Sequence, residues 1–252
     1  MSVNCRFLLL QLLFFATGLQ AETLTIAVAS NFSQPARELV SRFEESTGHA
    51  VRVTTASTGK LYAQIKNGAP FDILLAADAE RPRLLEESGT GVAETRFTYA
   101  HGGLVLWSRD PDLAGQDCKG QLGKLGRAKL AIANPLTAPY GAAARETLQA
   151  AGLWANVQGN LVFGENISQT LHFVVSGNAS LGFIATSQAA DARLPDATCT
   201  WRVPKSMHAP IAQQAILLGR ASANETAVDF MRYLRGSIAA EVIAAHGYEI
   251  SR

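Results

Sequence analysis

Between residues 24 and 77 short apolar strands alternate with amphipathic helices, and this alternation limits the fold more than any other feature of the chain. "LTIAVA" (24–29) reads as a buried strand. Ala36, Leu39, Val40 and Phe43 then recur at helical spacing, and Gly48 ends that helix. "AVRVTT" (50–55) is a second strand, "GKLYAQIKNG" (59–68) a helix and "DILLAA" (72–77) a third strand. Strand, helix, strand, helix, strand implies an α/β sheet with parallel strands and right-handed crossovers.

A second series begins after Thr98: "GLVLWS" (103–108), "KLAIAN" (129–134), a helix over 141–151, "LVFG" (161–164), a helix over 167–176 and "LGFIAT" (181–186). "RVPKSMHAPI" (202–211) has two prolines and no helical period. "QQAILL" (213–218) then resumes a strand before one helical pattern over 226–245. The chain is expected to cross from one lobe to another and return. Residues 22–100 plus 209–252 would form lobe I and 101–208 lobe II, with parallel-dominated sheets and a cleft beside a two-crossing hinge. Such clefts, outside the carboxyl ends of strands, are where α/β sheets take ligands.

Ahead of this pattern, "CRFLLLQLLFFATGLQA" sets Arg6 before an apolar run that ends in small residues and Ala21. Residues 1–21 read as a secretory signal peptide, too short for a spanning helix. The full chain has 22 Lys and Arg against 21 Asp and Glu, so loss of Arg6 leaves the exported protein balanced. With no basic run, nucleic acid is not an expected partner. Cys118 and Cys199 would remain in a compartment where disulfides persist. Whether they pair depends on a Cα separation that sequence does not give. The five histidines are scattered and no CxxC or HxxxH occurs, so neither a metal site nor a cofactor is expected.

Four strand-to-helix junctions carry small or polar residues: "ASN" (29–31), "ASTGK" (56–60), "APYG" (138–141) and "GENIS" (164–168). A helix start leaves backbone N–H groups unpaired and carries about +0.5 of a charge, so it attracts anions. Each junction by itself reads first as an ordinary N-cap. Two such turns in each lobe point instead to a ligand held between the lobes. One enzyme reading competes: Ser57 and Lys60 match S-x-x-K, and "SGN" at 176–178 could serve as S-x-N. No K-T-G follows, and Lys60 begins a helix with apolar Leu61 and Ile65. A phosphate-binding P-loop fails, because Leu61 stands where Ser or Thr must hold Mg²⁺. Glu165 reads as a cap or charge complement of the helix that follows, and Tyr248 as packing of the terminal helix.

Six stretches resemble the periplasmic molybdate-binding proteins of ABC-type importers: "AVASNFSQPARELVSRFEESTG", "TTASTGKLYAQIKNGAPFDILLAADAERPRLL", "GGLVLWSRD", "LAIANPLTAPYGAAARETLQAAGLW", "LVFGENISQTLHFVVSGNASLGFIATSQA" and "AILL". The resemblance covers essentially all of the chain after the signal segment. It implies a hinged, two-lobed periplasmic binding protein fold (type II-like) that holds MoO₄²⁻ or WO₄²⁻ with neutral donors and delivers it to an ABC permease. Carried over by position, Ser30 and Asn31 would form the first contact turn and Thr58, with Ser57 beside it, the second. Tyr140 and Ile167 would give main-chain N–H groups. Some members add a tyrosine hydroxyl after "LGIVY", where this chain has Ala185, and the Asn31 side-chain amide is expected to replace it. A monomer without catalytic activity is expected, with sulfate as the alternative ligand.

Overall fold

The computed structural model describes residues 23–251; the signal segment read over 1–21 lies outside them. In chain order, β1 (Leu24–Ala29), α1 (Ser33–Thr47), β2 (Val51–Ala56), α2 (Thr58–Lys66), β3 (Ile73–Ala76), α3 (Glu80–Glu87) and β4 (Phe97–Gly102) lead to a first crossing. The second lobe follows with β5 (Leu104–Ser108), α4 (Cys118–Gln121), β6 (Leu130–Ala133), α5 (Pro139–Ala150), α6 (Trp154–Val157), β7 (Leu161–Gly164), α7 (Ile167–Val175), β8 (Leu181–Ala185), α8 (Thr186–Ala189) and β9 (Cys199–Arg202). The chain then returns through β10 (Ile211–Leu217), α9 (Glu225–Leu234), α10 (Ser237–Ala245) and β11 (Glu249–Ile250).

Lobe I holds a six-stranded sheet in the order β11-β4-β10-β3-β1-β2, and lobe II a five-stranded sheet in the order β7-β6-β8-β5-β9. Both are mixed, which corrects the expectation of parallel-dominated sheets. The βα units pair in parallel, β1 with β2 and β3, and β6 with β7 and β8. Antiparallel pairings come from strands at or after the crossings: β10 on β3 and β4, β11 on β4, and β5 on β8 and β9. A strand that enters or leaves a lobe through the hinge has no crossover helix to turn it round, so it runs against its neighbour. The single helix expected over 226–245 is two helices, interrupted at Gly236, which sits before α10 with an extended backbone.

Apolar burial explains why the strands read as continuous runs. Leu24, Ile26 and Val28 of β1 face a core built with α1, α9 and α10, while Ala27 faces a second core with Leu61 and Ile65 of α2. Both faces of the strand are therefore covered. Helix α1 buries Ala36, Leu39, Val40 and Phe43 and ends at Gly48, whose φ of 75° closes the helix in the left-handed conformation. In lobe II a core of Leu106, Ile132, Tyr140, Leu148 and Phe183 reaches across to Ala29, Ala77 and Ile211. The two lobes thus share an apolar seam near the hinge.

Cys118 in α4 and Cys199 in β9 form a disulfide, with Cα atoms 5.4 Å apart and a sequence separation of 81. This settles the pairing that sequence left open. A loop of that length should give a cross-link worth about 4 kcal/mol in the chain-entropy model. The double substitution Cys118→Ser/Cys199→Ser is expected to lower the unfolding free energy by about 2–4 kcal/mol in denaturant titrations. Equal stability with and without reductant would contradict this.

Candidate functional site

The four turns converge. Ala29, Ser30, Asn31, Ser57, Thr58, Ala138, Pro139, Tyr140 and Ile167 line one small cavity between the lobes. No charged side chain lines it. The polar members are nearly withdrawn from solvent, with Ser57 3 % and Thr58 0 % exposed. A larger hollow of ≈ 550 Å³ on lobe II, bordered by Trp107, Leu194 and Arg202, touches none of these turns.

Each helix start leaves donors for that cavity in a different way. At α5, Pro139 has no N–H and occupies the first turn, while Gly141 and Ala142 donate to the Ala138 carbonyl. The Tyr140 N–H is the first donor of the helix and has no partner within the turn. At α7, the Asn166 side chain accepts from the N–H groups of Ser168 and Gln169, both at 3.0 Å, and leaves that of Ile167. An apolar residue suffices there because its side chain packs in the lobe II core while its N–H stays unspent. The cap is Asn166, which corrects the reading of Glu165; Glu165 instead pairs with Lys60 across the cleft.

At α2 the ordinary N-cap reading fails. Ser57 occupies the cap position, but its side chain makes no hydrogen bond to the helix. Among the described residues its buried Oγ has no hydrogen-bond partner. A buried hydroxyl without a partner costs about 1–3 kcal/mol, so this atom marks where a ligand acceptor would sit. The Thr58 Oγ1 accepts from the Ala77 N–H at 3.0 Å, and its own proton remains to donate. Lys60 faces outward to Glu165 and makes no bond to Ser57. The pairing that an S-x-x-K nucleophile requires is therefore not formed.

Asn31 departs from expectation. Its side-chain amide donates to Gln213 Oε1 at 2.8 Å and to the Tyr248 hydroxyl at 3.0 Å. Both N–H groups are spent inside the protein, so the amide does not replace a tyrosine contact at Ala185. The Tyr248 hydroxyl donates to the Asn31 carbonyl at 2.8 Å and accepts from Ser187 Oγ at 3.1 Å. Burial pushes the Tyr248 phenol up to about 12 and the Tyr140 phenol well above its usual value, so both stay neutral. Tyr248, Gln213 and Ser187 escaped sequence reading because each looks like a packing or surface residue until the chain ends meet.

The lobes are closed on each other. The Gly59 N–H donates to the Thr137 carbonyl at 2.8 Å, Gln34 Nε2 to Asp191 at 2.7 Å and Ser168 Oγ to the Ser30 carbonyl at 3.3 Å. A Cβ on Gly59 would lie 2.8 Å from the Thr137 oxygen and 3.0 Å from its Cα. Glycine is thus required for this approach.

The family model for bacterial extracellular solute-binding proteins matches residues 24–249. The molybdate-binding protein of Azotobacter vinelandii is 45 % identical over 235 residues, covering 92 % of each chain. That of Rhodobacter capsulatus is 42 % identical over 88 % of this chain and 86 % of its own. A solved periplasmic molybdate-binding protein of Azotobacter vinelandii superposes with a TM-score of 0.85 at 35 % identity, covering 91 % of this chain and all of that one. The sulfate-binding protein of Mycobacterium tuberculosis, at 14 % identity and a TM-score of 0.70 over 90 % of this chain and 86 % of its own, shares the fold. With its two hinged lobes and donor-lined cleft, the chain belongs to the bacterial extracellular solute-binding proteins.

Proposed function

We propose that the protein binds molybdate, and tungstate with it, between its lobes in the periplasm and presents it to the permease of an ABC-type importer. The carrying observation is the cavity at which Ser30, Asn31, Ser57, Thr58, Tyr140 and Ile167 meet without a charged side chain. Relatives named for molybdate binding, at 45 % and 42 % identity over most of the chain, support the choice of anion. Ser30, Thr58 and Ser57 would give hydroxyl donors, and Asn31, Tyr140 and Ile167 main-chain N–H groups.

Neutral donors suffice for a dianion. Hydrogen bonds to a charged acceptor contribute about 1.5–3 kcal/mol each, and the helix starts disperse the remaining charge. The absence of a lining Lys or Arg keeps the site from accepting any anion of the right charge. No carboxylate is present to take the proton of hydrogen phosphate, which would leave an unmet buried group. Sulfate carries no proton either, and is rejected because a smaller ion does not reach all donors together. Closure around the ligand gives the permease a shape that the open form lacks. The protein acts as a monomeric carrier and not as an enzyme; the outward-facing Lys60 supports this over an acyl-enzyme.

Thermal-shift titration of the mature protein tests the reading directly. Molybdate at about 1,000 times its Kd should add about 4 kcal/mol of stability, tungstate a similar amount, and phosphate none. A shift with sulfate and not with molybdate would assign the other anion. Thr58→Val keeps the side-chain shape and removes one donor, and should weaken molybdate binding by about 1–3 kcal/mol in calorimetry; unchanged affinity would remove Thr58 from the site. Gly59→Val should hold the lobes apart, so that molybdate no longer compacts the protein in small-angle scattering and binding falls about tenfold or more. Compaction equal to wild type would show that the Thr137 contact does not limit closure.

A further inference from the structure

The C-terminal segment reaches the binding turn from behind. After α10, Gly247 turns the chain at a φ of 81°, and a Cβ there would touch Ala190 at 3.6 Å and Ser187 at 3.7 Å. The chain therefore packs closely on α8 of lobe II. Tyr248, 5 % exposed, belongs to the lobe I core, and its ring meets Phe32 edge-on at 5.4 Å. That contact aims the hydroxyl into the space between the lobes.

All the hydrogen-bonding capacity of that hydroxyl is used. Its proton goes to the Asn31 carbonyl, and its lone pairs receive Asn31 Nδ2 and Ser187 Oγ. Asn31 is gripped at both its carbonyl and its amide, which fixes the peptide plane of the first binding turn. Its amide is also held by Gln213. Gln213 is fully buried and sits where the register of β10 on β4 shifts between Gln213 and Gln214. Bulges re-aim a side chain, and this one lies on a strand that returns from the hinge. Ser187 belongs to lobe II. One hydroxyl therefore joins the binding turn to the opposite lobe, and one amide joins the same turn to the hinge strand.

We infer that Tyr248 is a positioning residue for ligand binding: its hydroxyl orients the Asn31 turn and ties that orientation to the closed arrangement of the lobes through Ser187. The inference rests on the assignment of the cavity as the molybdate site. Tyr248 touches no ligand, and its effect is on the turn that does. A role of this kind slows ligand release, since the bond between Ser187 and Tyr248 spans the two lobes and must be given up as they separate.

The test compares wild type, Tyr248→Phe, Ser187→Ala and the double variant, using calorimetry for Kd and displacement kinetics for molybdate release. Tyr248→Phe should raise Kd about tenfold, mostly through faster release, because it removes one donated and two accepted hydrogen bonds from a buried network. Ser187→Ala should raise the release rate about threefold, as expected for a single neutral hydrogen bond. The double variant should match Tyr248→Phe, because both changes act through one atom. Lower melting temperatures with Kd and release rate unchanged would overturn the inference and leave Tyr248 as core packing. Additive effects in the double variant would also overturn it. If Tyr248→Phe does not fold, Ser187→Ala decides alone. Wild type that does not bind molybdate would instead overturn the assignment of the cavity.

Discussion

Unpaired N–H groups at the starts of helices govern this structure. A first-turn N–H has no carbonyl within its own helix to accept its proton, and burying it without a partner is costly. Here such groups at Tyr140 and Ile167 are brought to one cavity with the hydroxyls of Ser57 and Thr58. The rest of the fold follows from placing them. Parallel βα units set each helix start at the carboxyl end of a strand, and the hinge brings the ends of two sheets face to face.

The local sequence departs from good capping practice where this is useful. Asn166 caps two N–H groups and leaves the third, Pro139 removes one donor so that the next becomes first, and Ser57 caps nothing. A cleft built of saturated caps would be stable and inert. The unused donors are a stored cost, which a small anion with several acceptor oxygens is suited to relieve. Closure needs the backbones to come near, and Gly59 against Thr137 is the place, among the contacts across the cleft described above, where backbone meets backbone.

Much of this was legible in advance for physical reasons. The apolar runs of β1, β3 and β6 had to be buried strands, and Gly48 had to end α1, because period and backbone freedom are local properties. The hinge-linked strands were harder. β4, "FTYAHG", carries half-buried polar residues and β9, "CTWR", exposed ones, and β11 is only two residues long, so none has a run to read. Their antiparallel direction is set by the crossings and not by their own residues.

The sequence by itself determined the strand and helix alternation, the four turns and their lack of charge, because each depends on neighbours within a few positions. Tertiary structure alone decided how the side chains at those turns are spent. Asn31 looked like a ligand amide until Gln213, 182 positions away in sequence, and Tyr248, 217 away, were found to hold it. Ser57 looked like a cap until its hydroxyl proved to have no partner among the described residues. A hydrogen bond is made by whichever group arrives within about 3 Å, and which group arrives is settled by the packing of distant segments.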